Sequence, residues 1–181
     1  MCGINGFNFS SKDLITSMNN SIIHRGPDDV GSYITNNLSL GHVRLSIVDI
    51  SEAGHQPMFY SKLLGASNKK FNSENISKSE YSLIYNGEIY NFVEIKDELK
   101  TLGYTFSTKC DTEIILAAYD CWGEECVNKF NGMWAFALFD YKKNILFCSR
   151  DRLGQKPLYY YYNHETFIFS SELKGILEHK N

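Results

Sequence analysis

The chain opens Met1-Cys2-Gly3. Cysteine is small enough in second position for the initiator methionine to be removed, leaving one residue that carries both a thiol and a free α-amine. An α-amino group titrates at about 7.7–8.0, so near neutral pH it can take the thiol proton directly or through a water. Nucleophile and base would then come from a single residue, with no separate histidine. Gly3 and Gly6 would let the backbone bend close to a bound molecule. Taken alone this tripeptide is a weak signal, since many chains begin Met-Cys.

Other polar residues have ordinary readings when taken one at a time. Arg44 is a basic residue between two strand-like segments. Asn86-Gly87 after a strand is a common turn. Asp111 stands where a helix N-cap belongs. Cys121 and Cys126 form a C-x4-C pair with no histidine or second pair at ligand spacing, so no metal is expected there. Cys110, Cys121, Cys126 and Cys148 read as small, partly buried thiols of a reducing compartment.

The elements that must position such residues follow from periodicity. Residues 2–9 read as a strand. Residues 13–24 read as a helix, with Leu14, Met18 and Ile22 at i, i+4, i+8 spacing, and His24-Arg25-Gly26-Pro27-Asp28-Asp29 as a turn. Short strands are predicted at 33–34, 38–43 and 47–50. Residues 61–80, rich in Ser, Asn and Lys, are expected to form an exposed, mobile loop. Phe92, Ile95, Leu99 and Leu102 mark one face of a helix that Gly103 ends, and a second helix is predicted over 111–122. Four strand-like segments then follow: MWAFALFDY, NILFCSR, PLYYYY and TFIFSS. The first is apolar on both faces, as a strand sandwiched between layers should be. A short helix, SELKGILE, closes the chain. Strands and helices in separate runs with hairpin connections predict an antiparallel α+β fold in one domain over residues 1–181.

Bulk properties narrow the classes. Aromatic residues make up 14% of the 181 residues, almost all Tyr and Phe, which suits a sheet-rich core. A net charge of −3 provides no electrostatic footprint for nucleic acid or an anionic membrane. No apolar run approaches the roughly 20 residues of a membrane span, and no secretory signal opens the chain, so the cytoplasm is the expected location.

Taken together, the segments change the reading. MCGINGF, HRGPDD, GHVRLSIVD with GHQPM, YNGEIYN, KCDTE-IILAAY, FNGMWAFALFD, SRDRLGQKPLYYY and FSSELKGIL, in that order, resemble the glutaminase half of class II glutamine amidotransferases. They are similar above all to the N-terminal domain of glutamine-hydrolysing asparagine synthetases. The resemblance covers nearly the whole chain. It implies an N-terminal nucleophile hydrolase fold, a four-layer αββα sandwich of two mainly antiparallel sheets.

The resemblance also implies roles. Cys2 would attack the side-chain amide carbon of L-glutamine, giving a γ-glutamyl thioester and ammonia. The side-chain amide of Asn86 and the backbone N–H of Gly87 would form the oxyanion hole. Arg44 would grip the substrate α-carboxylate, a task that suits a planar guanidinium. The backbone of Ser46, Ile47 and Val48 would line the same pocket, and Glu88 and Asp111 would take the α-ammonium. His24, Arg25 and Asp28 are expected to support the pocket, and Asp151 and Arg152 to be structural or to face a partner domain. The glutaminase step needs no metal or cofactor. ATP and Mg²⁺ belong to a synthetase domain or subunit, expected C-terminal to Asn181, whose nucleotide-binding sequence these 181 residues lack. A homodimer stays open, as do two other readings: a sugar-phosphate or phosphoribosyl acceptor for the ammonia, and a non-catalytic module. Residues 61–80 exceed the corresponding loop of the family pattern.

Overall fold

The computed structural model describes residues 1–46, 50–70 and 72–180. In chain order the elements are β1 (Gly3–Phe7), α1 (Lys12–Ser21), β2 (Asp29–Ile34), β3 (Ser39–Arg44), β4 (Met58–Ser61), β5 (Gly65–Ser67) and β6 (Tyr81–Ile89). Then come α2 (Phe92–Thr101), α3 (Asp111–Trp122), β7 (Gly132–Asp140), β8 (Ile145–Arg150), β9 (Tyr159–Tyr162), β10 (Phe167–Ser170) and α4 (Leu173–Ile176). The strands form two five-stranded sheets, ordered β2-β3-β1-β10-β9 and β5-β4-β6-β7-β8. Every strand pairing is antiparallel.

Side-chain alternation along the strands builds the layers. Ile4, Leu40 and Phe169 of the first sheet meet Ile84, Ala135 and Ala137 of the second. The opposite face of the first sheet, carrying Phe7 and Ile168, packs on Ile15 and Met18 of α1 and Ile176 of α4. The opposite face of the second, carrying Leu83, Tyr85, Phe136 and Leu138, packs on Ile95 and Leu99 of α2 and Ile114, Ile115 and Ala118 of α3. The order is therefore helices, sheet, sheet, helices, the expected four layers. MWAFALF is the sandwiched strand its composition predicts: Trp134, Phe136 and Leu138 face the helices while Ala135 and Ala137 face the other sheet. Each buried large apolar side chain on these faces is worth about 1.5–3 kcal/mol.

The structure corrects several expectations. The helix predicted over 13–24 ends as α1 at Ser21 and passes into a 3₁₀ turn, Ile23–Arg25. Ser11 caps α1 by accepting the Leu14 N–H. Of the strand predicted over 47–50, residues 47–49 lie outside the described residues, and Ile50 is 83% exposed and in no strand. The described residues of 61–80 are largely exposed, as expected of a loop, but they carry regular structure that the loop reading did not include. They hold the β4–β5 hairpin, turned through Gly65 at φ +72°, and a 3₁₀ segment, Ser73–Lys78. Local hydrogen bonds organise this polar stretch: the buried Asn68 amide donates to Glu52 O and Ala53 O at 3.2 and 3.1 Å.

Candidate active site

Cys2 immediately precedes β1, and β1 pairs with β3 so that Gly3 lies opposite Val43. That register brings the thiol to the end of β3, where the Leu45 N–H donates to Sγ at 3.4 Å and the thiol faces Leu45 O at 3.6 Å. The backbone of the nucleophile is held separately. Arg25 Nε donates to Cys2 O at 3.0 Å, and Arg25 Nη1 is paired with Glu172 at 3.0 Å. Burial would raise the Glu172 carboxyl, but hydrogen bonds from Arg25, His24 and Lys174 outweigh it and hold the group down at about 2. Asp28 contributes differently, accepting the Ser46 N–H at 2.7 Å. The HRGPDD segment is thus support, as expected.

Arg44 ends β3. Like Leu40 and His42 it sits at an even position of the strand, on the side that faces the second sheet. It is 8% exposed and donates from Nη1 to Ser51 O at 2.9 Å. Gly54 lies directly against the guanidinium, and any Cβ there would collide with it.

β6 supplies the opposing wall. Asn86 lies on its inter-sheet side and is 1% exposed, and its Nδ2 has no hydrogen-bond partner among the described residues. An orphaned buried donor costs about 1–3 kcal/mol, so it marks either strain or a ligand's place. Gly87 pairs with Trp134, and a side chain there would strike Met133 O and the Tyr85 ring. Asp111 begins α3 but is not its N-cap. Cys110 holds that position, and Asp111 is the first helical residue. Its carboxylate turns back to β6 instead, where Oδ2 accepts the Tyr85 hydroxyl at 2.8 Å and the Ile89 N–H at 3.0 Å. Burial, with a small contribution from the charge of Glu88, raises the Asp111 carboxyl above its ordinary value, while the two hydrogen bonds oppose the rise.

These walls enclose a cleft with a cavity volume of about 150 Å³. Cys2, Arg44, Ser46, Asn86, Gly87, Glu88 and Asp111 all line it. Every predicted site residue within the described part is therefore brought together; Ile47 and Val48 lie outside the described residues. Ser46 presents a backbone N–H already taken by Asp28. Glu88 is exposed at the rim. A thiol, a guanidinium, two carboxylates and an unpaired amide donor in one cleft could bind a zwitterion by both ends and attack a carbonyl between them.

Several lining residues had no role in the sequence reading, among them Gln56, Tyr85 and Lys156. Gln56 Oε1 accepts the Tyr85 N–H at 2.7 Å, and His42 Nε2 bonds Tyr85 O at 3.2 Å. Burial pushes the His42 imidazole down to about 3, so it is neutral and donates. Lys156 is brought in by Asp151, whose carboxylate accepts the backbone N–H of Trp134, Leu153, Gln155 and Lys156. Asp151 is structural, as expected, and Arg152 donates to Phe130 O and Val127 O. Gln56 and Tyr85 fall inside recognised segments, GHQPM and YNGEIYN, so the signal was the segment rather than the residue. Among the described residues, no group of three or more His, Cys, Asp or Glu side chains converges as metal ligands. No described helix is long and apolar enough to cross a membrane.

The whole chain, residues 1–181, matches the glutamine amidotransferase domain family. It belongs to that family. It is 49% identical to a putative glutamine-hydrolysing asparagine synthetase of Methanocaldococcus jannaschii, over 98% of this chain and 35% of that protein. It is 40% identical to asparagine synthetase 3 of Bacillus subtilis, over 99% of this chain and 28% of that one. The chain thus spans about a third of the length of the curated relatives it matches. Among solved structures, a glutamine phosphoribosylpyrophosphate amidotransferase of B. subtilis shares the fold, with a TM-score of 0.73 at 19% identity over 97% of this chain and 43% of that one. The four-layer sandwich is therefore the amidotransferase fold, and this domain resembles the glutaminase half of asparagine synthetases.

Proposed function

We propose that this domain hydrolyses L-glutamine to glutamate and ammonia through a γ-glutamyl thioester on Cys2, formed after removal of Met1. The observation that carries the reading is the cleft in which the Cys2 thiol, Arg44, Asp111 and the unpaired Asn86 amide meet. Arg44 binds the substrate α-carboxylate, and Asp111 with Glu88 binds the α-ammonium. The freed α-amine of Cys2 takes the thiol proton, and sulfur attacks the γ-amide carbon. The oxygen that gains charge is received by Asn86 Nδ2 and the Gly87 N–H. The amine returns the proton to the leaving nitrogen, ammonia departs, and water then cleaves the thioester to glutamate. None of these steps calls on a metal or cofactor.

The relatives are named as asparagine synthetases, and this supports an ammonia acceptor of that type: a synthetase domain or subunit that amidates aspartate with ATP and Mg²⁺, fed through an internal channel. Such a pairing belongs in the cytoplasm.

Glutamate release by the Met1-processed protein is the direct test, with alkylation by a glutamine-like electrophile and peptide mass spectrometry beside it. Wild type should release glutamate and carry one adduct, on Cys2, that glutamine prevents. Cys2→Ala should lose both while its unfolding curve stays put. Undiminished turnover in Cys2→Ala would end the proposal.

A further inference from the structure

Tyr85 alternates with Asn86 on β6 and so points away from the inter-sheet face, towards α3. Its backbone is fixed at both ends, by Gln56 Oε1 at 2.7 Å and His42 Nε2 at 3.2 Å, which leaves the ring little freedom to move. Tyr85 is 3% exposed, between the cleft wall and α3, and its hydroxyl donates to Asp111 Oδ2 at 2.8 Å. The Ile89 N–H, from the same strand, donates to that same oxygen at 3.0 Å. The other oxygen, Oδ1, receives no hydrogen bond from another residue among the described residues, and Asp111 lines the cleft. The two oxygens of one carboxylate are thereby divided, one committed to β6 and one left for the cleft.

We infer that Tyr85 is a positioning residue for substrate selection: its hydroxyl fixes Asp111 so that Oδ1 stands ready, as a charged acceptor, for the α-ammonium of an amino-acid substrate. The inference rests on the glutaminase reading above and deepens it. A carboxylate in a mostly apolar wall is costly to ionise, and a charge-assisted hydrogen bond from a phenol offsets part of that cost. Only the ionised form, held in one rotamer, discriminates strongly for an ammonium over an uncharged group.

The other charged and titratable groups facing the cleft with Asp111 are Glu88 on β6, Arg44 at the end of β3, Cys2 before β1, Cys110 before α3 and Lys156 after β8. Glu88 opposes ionisation of Asp111. None of these charged groups bonds Asp111 Oδ2, so among the described residues the phenol is the side-chain donor to that oxygen, beside the Ile89 backbone N–H.

Tyr85→Phe removes one oxygen and keeps the ring packed. In Met1-processed protein, the KM for glutamine should rise roughly tenfold or more, the loss expected for a hydrogen bond to a charged group, with kcat nearly unchanged. The acid limb of kcat/KM should move to higher pH, because Asp111 loses a donor that favours its charged form. Competitive inhibition by 4-carbamoylbutanoate, which is glutamine without its α-ammonium, should be the same in both proteins. In an Asp111→Asn background, Tyr85→Phe should add no further change in KM.

An unchanged KM and pH profile would overturn the inference. So would a fall in kcat at constant KM, or an equal weakening of 4-carbamoylbutanoate, since each would mean that the phenol only props the Asn86 strand. If wild type itself fails to turn over glutamine, the glutaminase reading fails first and takes this inference with it.

Discussion

Glu113 and Asp111 leave the same first turn of α3, two positions apart and so on nearly opposite sides of the helix. Glu113 is fully buried and spends both oxygens. It accepts from Ser107 N at 3.0 and 3.2 Å, Ser107 Oγ at 3.1 Å, and Thr108 N and Oγ1 at 2.7 Å each. This carboxylate ties the segment before α3 into a fixed turn. Asp111 spends one oxygen on Tyr85 and Ile89 and turns the other side of its carboxyl to the cleft. Charge alone does not separate the two, and Asp111 is only partly buried where Glu113 is fully so. What separates a structural acid from a site acid here is whether the protein itself has used up the acceptors.

That contrast can be broken most forcefully by truncation. Glu113→Ala should cost roughly 3–5 kcal/mol, because it strands the Ser107 and Thr108 donors without partners, and a urea titration would read it. Asp111→Ala strands two donors, the Tyr85 hydroxyl and the Ile89 N–H, but also removes a carboxylate that burial disfavours, so it should cost clearly less than Glu113→Ala in the same titration and in addition raise the KM for glutamine. Equal destabilisation by the two variants would erase the distinction between them.

Asn86 sharpens the same argument from the donor side. Its Nδ2 is buried and unpaired, so Asn86→Ala removes a group the fold does not use. Stability should hold or rise slightly, while kcat for glutamine hydrolysis falls by about 100–1000-fold. A large loss of stability with kcat retained would show that the amide serves packing.

The layers were largely legible because period-2 and period-3.6 patterns report burial directly, and MWAFALFDY with 111–122 are the clearest cases. The polar stretch 61–80 was misread for the complementary reason. Its order comes from Asn68 bonding back to Glu52 and Ala53 and from Gly65 at positive φ, neither of which produces a hydrophobic period. In the site, Cys2, Arg44, Glu88 and Asp111 stood out within their segments, whereas the charged Lys156 did not. Nor did Tyr85 and Gln56, because their part is played through a phenol and a carboxamide that look like ordinary core and turn residues. The N-cap assigned to Asp111 failed because a second partner outcompeted the helix end: the Tyr85 hydroxyl and Ile89 N–H hold its side chain against β6.

The smallest expected effects carry opposite signs, and the sign is the readout. The Glu172 carboxyl is held at about 2 when folded, below its ordinary value of about 4.3, because its bonds to Arg25, His24 and Lys174 outweigh the opposing effect of burial. Its contribution is therefore fully present above about pH 4.3 and is lost as pH falls towards 2. Asp111 runs the other way. Burial, reinforced by Glu88, raises its folded value, so its protonated form is harmless to the fold and the cost appears as pH rises from about 3.9 through that raised value. Glu172→Gln should thus lower stability at neutral pH and flatten the acid loss. Asp111→Asn should match or exceed wild type at neutral pH and flatten the decline on the alkaline side of about pH 4. Chemical denaturation from pH 2 to 7 would show both slopes. If the two variants shift stability in the same direction at neutral pH, Asp111 is a structural acid after all, and the cleft loses the cation-binding group that its chemistry requires.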